Sequence, residues 1–229
     1  MDKIGIIGAL EQELEILKSS LTSVSVIKRA GTEYVTGELL NKKVTLAKCG
    51  VGKVNAAVCA QILADFYHPD CVINTGAAGA IADYLNIGDV VISTDLVMHD
   101  FDVTPVFPDY KTPVKYTYAD ERLVAIAAEA ARELTQSGVT IHAGRIATGD
   151  RFICESEIKK ALWTEYRALC VEMEGAAVAQ ACYMNKIPFV IVRAVSDKAD
   201  EGAKVSFENF MAEASKNSSR IILGMIKRL

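Results

Sequence analysis

The chain has only three histidines in 229 residues: His68, His99 and His142. They are scattered, and no HExxH or similar spacing puts two of them together as ligands. Neither a metal nor an organic cofactor is expected. The six cysteines form no CxxC pair, and most stand inside apolar segments. They read as small buried residues of a reducing, cytoplasmic setting, not as a disulfide frame or zinc site. No basic run occurs, and the 25 Lys and Arg are outnumbered by 29 Asp and Glu. Nucleic acid is therefore not an expected partner. No stretch of about 18 apolar residues exists, so no membrane span is expected. Lys3-Ile-Gly-Ile-Ile-Gly8 is too short and too glycine-broken to read as a signal peptide.

What is present is apolar material, 51% of the residues, enough to build one large domain over 1–229. That richness suits a surface covered by a second copy, and equally a well-filled α/β core. Strand-like and helical runs alternate. Strands are expected at 3–8, 24–29, 33–40, 43–49, 71–74, 89–98, 139–147, 169–171 and 188–195. Helices are expected at 11–18, from Gly52 to about Tyr67, and at 119–136, 155–166, 175–184 and 206–227. The alternation predicts an α/β fold, a single domain with a central mixed sheet and helices on both faces. The irregular stretch 99–118, with Pro105, Pro108 and Pro113, is long for a compact domain and reads as functional or as an interface.

Polar residues collect where strands are expected to end, the usual place for ligands in such folds. They are Glu13, the run Asn74-Thr-Gly-Ala-Ala-Gly79, Asp150-Arg-Phe-Ile153, Glu172 and Glu174, and Arg193 with Ser196-Asp197. Glu172 and Glu174 flank Met173. A charge left unpartnered at a buried strand end costs several kcal/mol, on the order of the buried-ion penalty. Their equal parity points both to one side of an extended stretch, which suits a grip on a ribose diol. They equally suit the start of a helix, whose dipole favours acids. Glu13 also fits an ordinary first-turn helix acid, Arg193 with Asp197 a structural ion pair, Phe152 a core residue and Ser196 a cap or turn. His99 reads as a packing or interface residue.

These stretches, with Gly50-Val-Gly-Lys-Val-Asn-Ala56, His99-Asp100 and Asp102-Val-Thr104, resemble one family in order and spacing over nearly the whole chain. It is the nucleoside phosphorylase/hydrolase fold, and within it the 5′-methylthioadenosine/S-adenosylhomocysteine nucleosidases. The resemblance implies hydrolysis of an N-glycosidic bond to give adenine and a 5′-substituted ribose, with 5′-deoxyadenosine as a further substrate. It implies that Asp197 protonates adenine N7, Glu13 polarises the attacking water, Glu174 holds the ribose hydroxyls and Arg193 orders the carboxylates. It implies that Phe152 stacks on the purine, backbone groups near Ile153 read its edge, and Ala78, Ser196 and Glu172 lie on the substrate side. Met173 packs under the sugar, and Leu10, Val51 and Phe207 join it around the 5′ group. The family pattern also implies a homodimer whose long loop, 101–113 here, closes the neighbour's pocket through Val103, Val106, Phe107 and Pro113. Futalosine or aminofutalosine hydrolysis, and purine nucleoside phosphorolysis, are the competing activities; a nucleoside-binding protein without catalysis is the other class.

Phosphorylases of this fold resemble one another in carrying an Arg after the first strand. Here Gly8-Ala-Leu-Glu-Gln-Glu13 offers two acids and no Arg. At ~4 Å and an effective dielectric near 20, each charge pair is worth about 4 kcal/mol. A carboxylate there repels phosphate and favours water, although Arg29 and Arg145 remain as other sources of cation. The chain departs from the family's Gly-Ser-Ala-Gly form by placing Ala77 where Ser helps hold the water. Ala77→Ser is expected to change adenine release by no more than about tenfold, the scale of one hydrogen bond. A rise of several orders of magnitude in a steady-state assay would contradict that.

Overall fold

A computed structural model of the protein describes residues 1–103, 105–107, 115–135 and 138–229. The chain runs β1 (Lys3–Gly8), α1 (Glu11–Ser19), β2 (Thr22–Arg29), β3 (Thr32–Leu39), β4 (Lys42–Lys48) and α2 (Lys53–Tyr67). Then come β5 (Cys71–Ala80), β6 (Val90–Met98), β7 (Thr117–Tyr118), α3 (Glu121–Thr135) and β8 (Ile141–Thr148). The last elements are α4 (Ser156–Tyr166), β9 (Cys170–Glu172), α5 (Gly175–Met184), β10 (Phe189–Asp197) and α6 (Ala203–Ile226).

Among the described residues the strands form one mixed sheet of ten. Part of it closes on itself. β5 pairs with β10, β10 with β6, β6 with β8, β8 with β9, and β9 returns to β5 at Gly79 and Ala80. From this ring β1, β4, β3 and β2 extend as a flat wing, joined where β1 runs parallel to the start of β5. β5 and β10 are buried along their whole length, as expected of strands enclosed on every side. The outermost strand, β2, is exposed along nearly all its length.

Two cores lie on opposite faces of the sheet. On one, Cys59 and Leu63 of α2 and Val178 and Cys182 of α5 pack with Ile7, Val72 and Ile191. On the other, Leu14 and Leu17 of α1, Leu123 of α3 and Ile221 and Ile222 of α6 pack with Ile6, Ile73 and Val192. The expected α/β class with helices on both faces is the observed one. No helix of the described residues is long and apolar enough to cross a membrane.

Two expectations fail at the centre. Asn74–Gly79 does not follow a strand; it is the second half of β5, which continues to Ala80. Arg193 is not at a strand end but in the middle of β10, opposite Gly76. Glycine in a sequence usually signals a turn or a strand break. Here the small residues of β5 keep extended backbone because bulky groups from β10 and α1 crowd against them. In the 99–118 stretch, Thr117–Tyr118 forms a short strand on β6. Thr104, Pro108, Pro113 and Gln136 lie outside the described residues.

Candidate active site

Arg193 is 1% exposed and wholly enclosed by its own partners. Its Nη2 donates to Asn74 Oδ1 at 2.7 Å, to Glu172 Oε2, and to Glu174 Oε2 at 3.4 Å. Its Nη1 reaches Ala77 O at 3.4 Å. Burial opposes the guanidinium's charge, yet Glu172, Glu174 and Glu13 hold its pKa above the ordinary arginine value. Gly76 is what admits this group. A Cβ there would fall on Nη1 and lie 2.6 Å from Glu13 Oε1.

The three carboxylates around Arg193 also serve helix starts, which always carry amides without partners. Glu13 Oε2 accepts Ala9 N–H at 2.6 Å and Leu10 N–H at 2.9 Å ahead of α1, and Oε1 accepts Ala77 N–H at 3.2 Å. Glu172 Oε2 accepts Glu174 N–H at 3.0 Å and Gly175 N–H at 2.7 Å at the start of α5. Glu174 Oε1 accepts Gly52 N–H at 2.9 Å at the start of α2. So these acids fit the helix-start reading and also converge on Arg193.

A carboxylate has about four acceptor positions. Glu172 takes four donors, two amides and Arg193 on Oε2 and the Thr148 hydroxyl on Oε1. Glu13 fills three with amides and keeps one. Glu174 fills two, one by a long contact, and keeps two. The pair that looked equivalent in sequence is thereby divided. Glu172 is tied to Arg193, Thr148 and the start of α5 and also lines the pocket, whereas Glu174 has room for a diol. Burial pushes the Glu174 pKa up to about 7, against the pull of Arg193. Burial likewise raises Glu13, again opposed by Arg193.

Asp197 ends β10 with 2% exposure. Its Oδ2 accepts the Ser196 hydroxyl at 2.9 Å and its Oδ1 accepts Ala199 N–H at 2.9 Å. Burial raises its pKa, which favours a carboxyl that carries a proton. Arg193 pairs with Glu172 and Glu174, and no ion pair to Asp197 forms. Ser196 has no exposure and holds Asp197 through its hydroxyl. Asp197 lines a small pocket together with Gly79, Arg151, Phe152, Ile153, Glu172 and Met173. Phe152 is 40% exposed and stands edge-on to Phe207 at 5.8 Å, so it is not a core residue. Phe207 reaches the pocket only through that ring contact. Ala78 is buried beside Ser196. Leu10 packs between the two cores, and Val51 is exposed next to Gly52.

The two arginines considered as phosphate-binding cations are elsewhere. Arg145 is held by Asp95, Tyr166 O at 2.7 Å and the face of Tyr116. Arg29 lies over Phe66 at the outer strand β2. Glu11 points out to Lys18 and Lys48, so only one of the two acids after β1 faces inward. His99 packs against Gly149, and burial lowers its pKa. Two residues of the site had no role from sequence. Asn74 joins Arg193 to Ile7 O at 2.9 Å, and Thr148 joins Glu172 to Ala176 N–H at 2.9 Å. A buried hydroxyl or amide at an expected strand end was the available signal, since such groups are nearly always paired.

The sequence model of the phosphorylase superfamily matches residues 3–227, and the chain belongs to that superfamily. A relative from Bacillus subtilis (strain 168), named 5′-methylthioadenosine/S-adenosylhomocysteine nucleosidase, is 43% identical over 232 residues, covering 99% of each chain. The nucleosidase of that name from Neisseria meningitidis, solved with methylthio-immucillin-A, superposes with a TM-score of 0.95 at 39% identity and full coverage of both chains. The futalosine hydrolase of Helicobacter pylori strain 26695 superposes at 0.92 with 31% identity, over 100% of this chain and 98% of that one. Within the superfamily, the chain falls among the 5′-methylthioadenosine/S-adenosylhomocysteine nucleosidases.

Removing the charge of Glu172 leaves Arg193 under-compensated in a dry interior. Glu172→Gln should lower the unfolding free energy by about 3–5 kcal/mol in denaturant titration. Glu11→Gln, which loses only exposed pairs, should cost less than about 1 kcal/mol. Equal midpoints for the two variants would contradict the assignment of Glu172 to the scaffold.

Proposed function

We propose that this protein hydrolyses the N-glycosidic bond of 5′-methylthioadenosine and S-adenosylhomocysteine, releasing adenine and the thioribose product. The observation that carries the reading is the charge balance at Arg193. Three carboxylates surround one guanidinium, and the cations at the edge of the site are paired with other acids, Arg151 with Glu155 and Lys53 with Asp100 and Asp150. Such a site repels phosphate and accepts water. It also stabilises positive charge on the ribose as the C1′–N9 bond breaks, because the surplus carboxylate charge is already in place.

The residues divide the work. Asp197 gives its proton to N7 as the bonding electrons leave with the base. Water attacks C1′ and yields its proton to Glu13, through the one acceptor position that carboxylate keeps. Glu174 accepts the ribose hydroxyls through its two. Arg193 holds Glu174 and Glu172 in place without contacting substrate. Phe152 covers the purine, and Met173 lies beneath the sugar. Ala77 supplies its amide to Glu13 and its carbonyl to Arg193 but no hydroxyl, so the water is held by Glu13.

The likeness to a futalosine hydrolase gives a second reading, in which the 5′ group is larger and the base is hypoxanthine. The 43% identity to a nucleosidase against 31% to that hydrolase favours the first. Comparing release of adenine and of hypoxanthine from matched nucleosides separates the two.

We also propose a homodimer. Val54, Val58, Phe101, Val106 and Met184 are large apolar side chains exposed to water, and a second copy would cover such a surface. All six cysteines are free, which suits a cytoplasmic enzyme, and sulfur retained on the ribose suits a role in methionine salvage.

Adenine release from methylthioadenosine by the purified protein tests the reading, with Glu13→Gln as its partner. The variant should bind the nucleoside and lose turnover; unchanged turnover would remove Glu13 from the mechanism. Protonating Glu174 removes an acceptor for the diol, so KM should rise as pH falls below about 7. Glu174→Gln should flatten that rise. If the rise persists in Glu174→Gln, the titrating group is not Glu174.

A further inference from the structure

One lysine outside the carboxylate cluster ties three segments of the site together. α2 starts at Lys53, and Gly52 before it has no side chain to cap the helix. Its amides are capped from a distance instead. Gly52 N–H donates to Glu174 Oε1 at 2.9 Å, and Lys53 N–H donates to Asp150 Oδ1 at 2.8 Å. Lys53 Nζ then turns to Asp100, and to Asp150 Oδ2 at 3.6 Å. Asp150 N–H closes the group by donating to Asp100 Oδ2 at 2.8 Å.

The three segments matter for different reasons. Asp100 stands just beyond β6, at the root of the 101–113 loop. Asp150 stands just beyond β8, at the root of the segment that carries Phe152 and Ile153. Gly52 carries the amide that meets Glu174. The Lys53 side chain is only 17% exposed, so its pairs are screened less than surface pairs. Gly52 has φ 98, a conformation open to glycine, and a Cβ there would lie 3.2 Å from Asp150 Oδ1. The helix start is thus fitted tightly against the aspartate that the lysine holds.

We propose that Lys53 is a positioning residue for the ribose grip: by clamping Asp100 and Asp150 it fixes where the Gly52 amide meets Glu174. The inference rests on the role proposed above for Glu174. Without the lysine's charge, Asp100 and Asp150 repel each other across one hydrogen bond. Asp150 then withdraws from the Lys53 amide, the first turn of α2 shifts, and Glu174 loses the donor that orients it.

The test compares two ligands by calorimetry: a non-cleavable adenine nucleoside analogue with a 2′,3′ diol, and its 2′,3′-dideoxy counterpart. The wild type should prefer the diol. Lys53→Met should reduce that preference about tenfold, the scale of a charge-assisted hydrogen bond, while dideoxy affinity stays within about twofold. Lys53→Arg keeps the charge and should restore most of the preference. Should Lys53→Met fail to fold, Asp150→Ala removes the acceptor of the Lys53 amide, and the same loss is expected. A preference that survives in the variant overturns the proposal, as does an equal fall in affinity for both ligands. A wild type with no diol preference overturns the ribose reading of Glu174 and this inference with it.

Discussion

A guanidinium with no access to water must be surrounded by its own counter-charges, and Arg193 sets that condition for the whole site. A buried charge is tolerated only when paired and hydrogen-bonded. Arg193 meets the requirement with Glu172, Glu174 and Asn74, each delivered by a different part of the fold. The closed ring of β5, β10, β6, β8 and β9 brings those parts together. Gly76 clears the space, so one missing side chain on β5 is as necessary as the charged one on β10.

The same carboxylates answer a second demand, that of the helix starts. Amides at the starts of α1, α2 and α5 need acceptors, and Glu13, Glu174 and Glu172 supply them. The two demands together fix each carboxylate more firmly than either alone. They also decide which of the three can act. Glu172 takes four hydrogen bonds, Glu13 three and Glu174 two, an order that suits the scaffold, water and sugar roles proposed for them. A surplus of carboxylate over guanidinium, with raised pKa values for Glu13 and Glu174, prepares the site for a partner that becomes positive.

Much of this was legible in the sequence, and the misses have physical causes. The alternation of periods gave the α/β class, and the positions of Glu13, Glu174, Arg193 and Asp197 marked the site. Asn74–Gly79 was misplaced as a loop because glycine and alanine were read for their backbone freedom, whereas their use here is to be small. Glu172 and Glu174 looked equal because parity says where side chains point and not what saturates them. The bonds that Ser196 makes to Asp197 and Glu172 to Arg193 had no sequence signal, because they join side chains that the fold alone brings into register. Asn74 and Thr148 had no role because a buried hydrogen bond between distant strands leaves no periodic trace.

The central claim is that the charge surrounding Arg193 makes water, not phosphate, the acceptor of the ribose. Product analysis on methylthioadenosine in phosphate-free and phosphate-supplemented buffer measures this directly. The account predicts the same rate in both, with adenine and free methylthioribose as the products. Turnover that requires phosphate and yields a ribose 1-phosphate would contradict it.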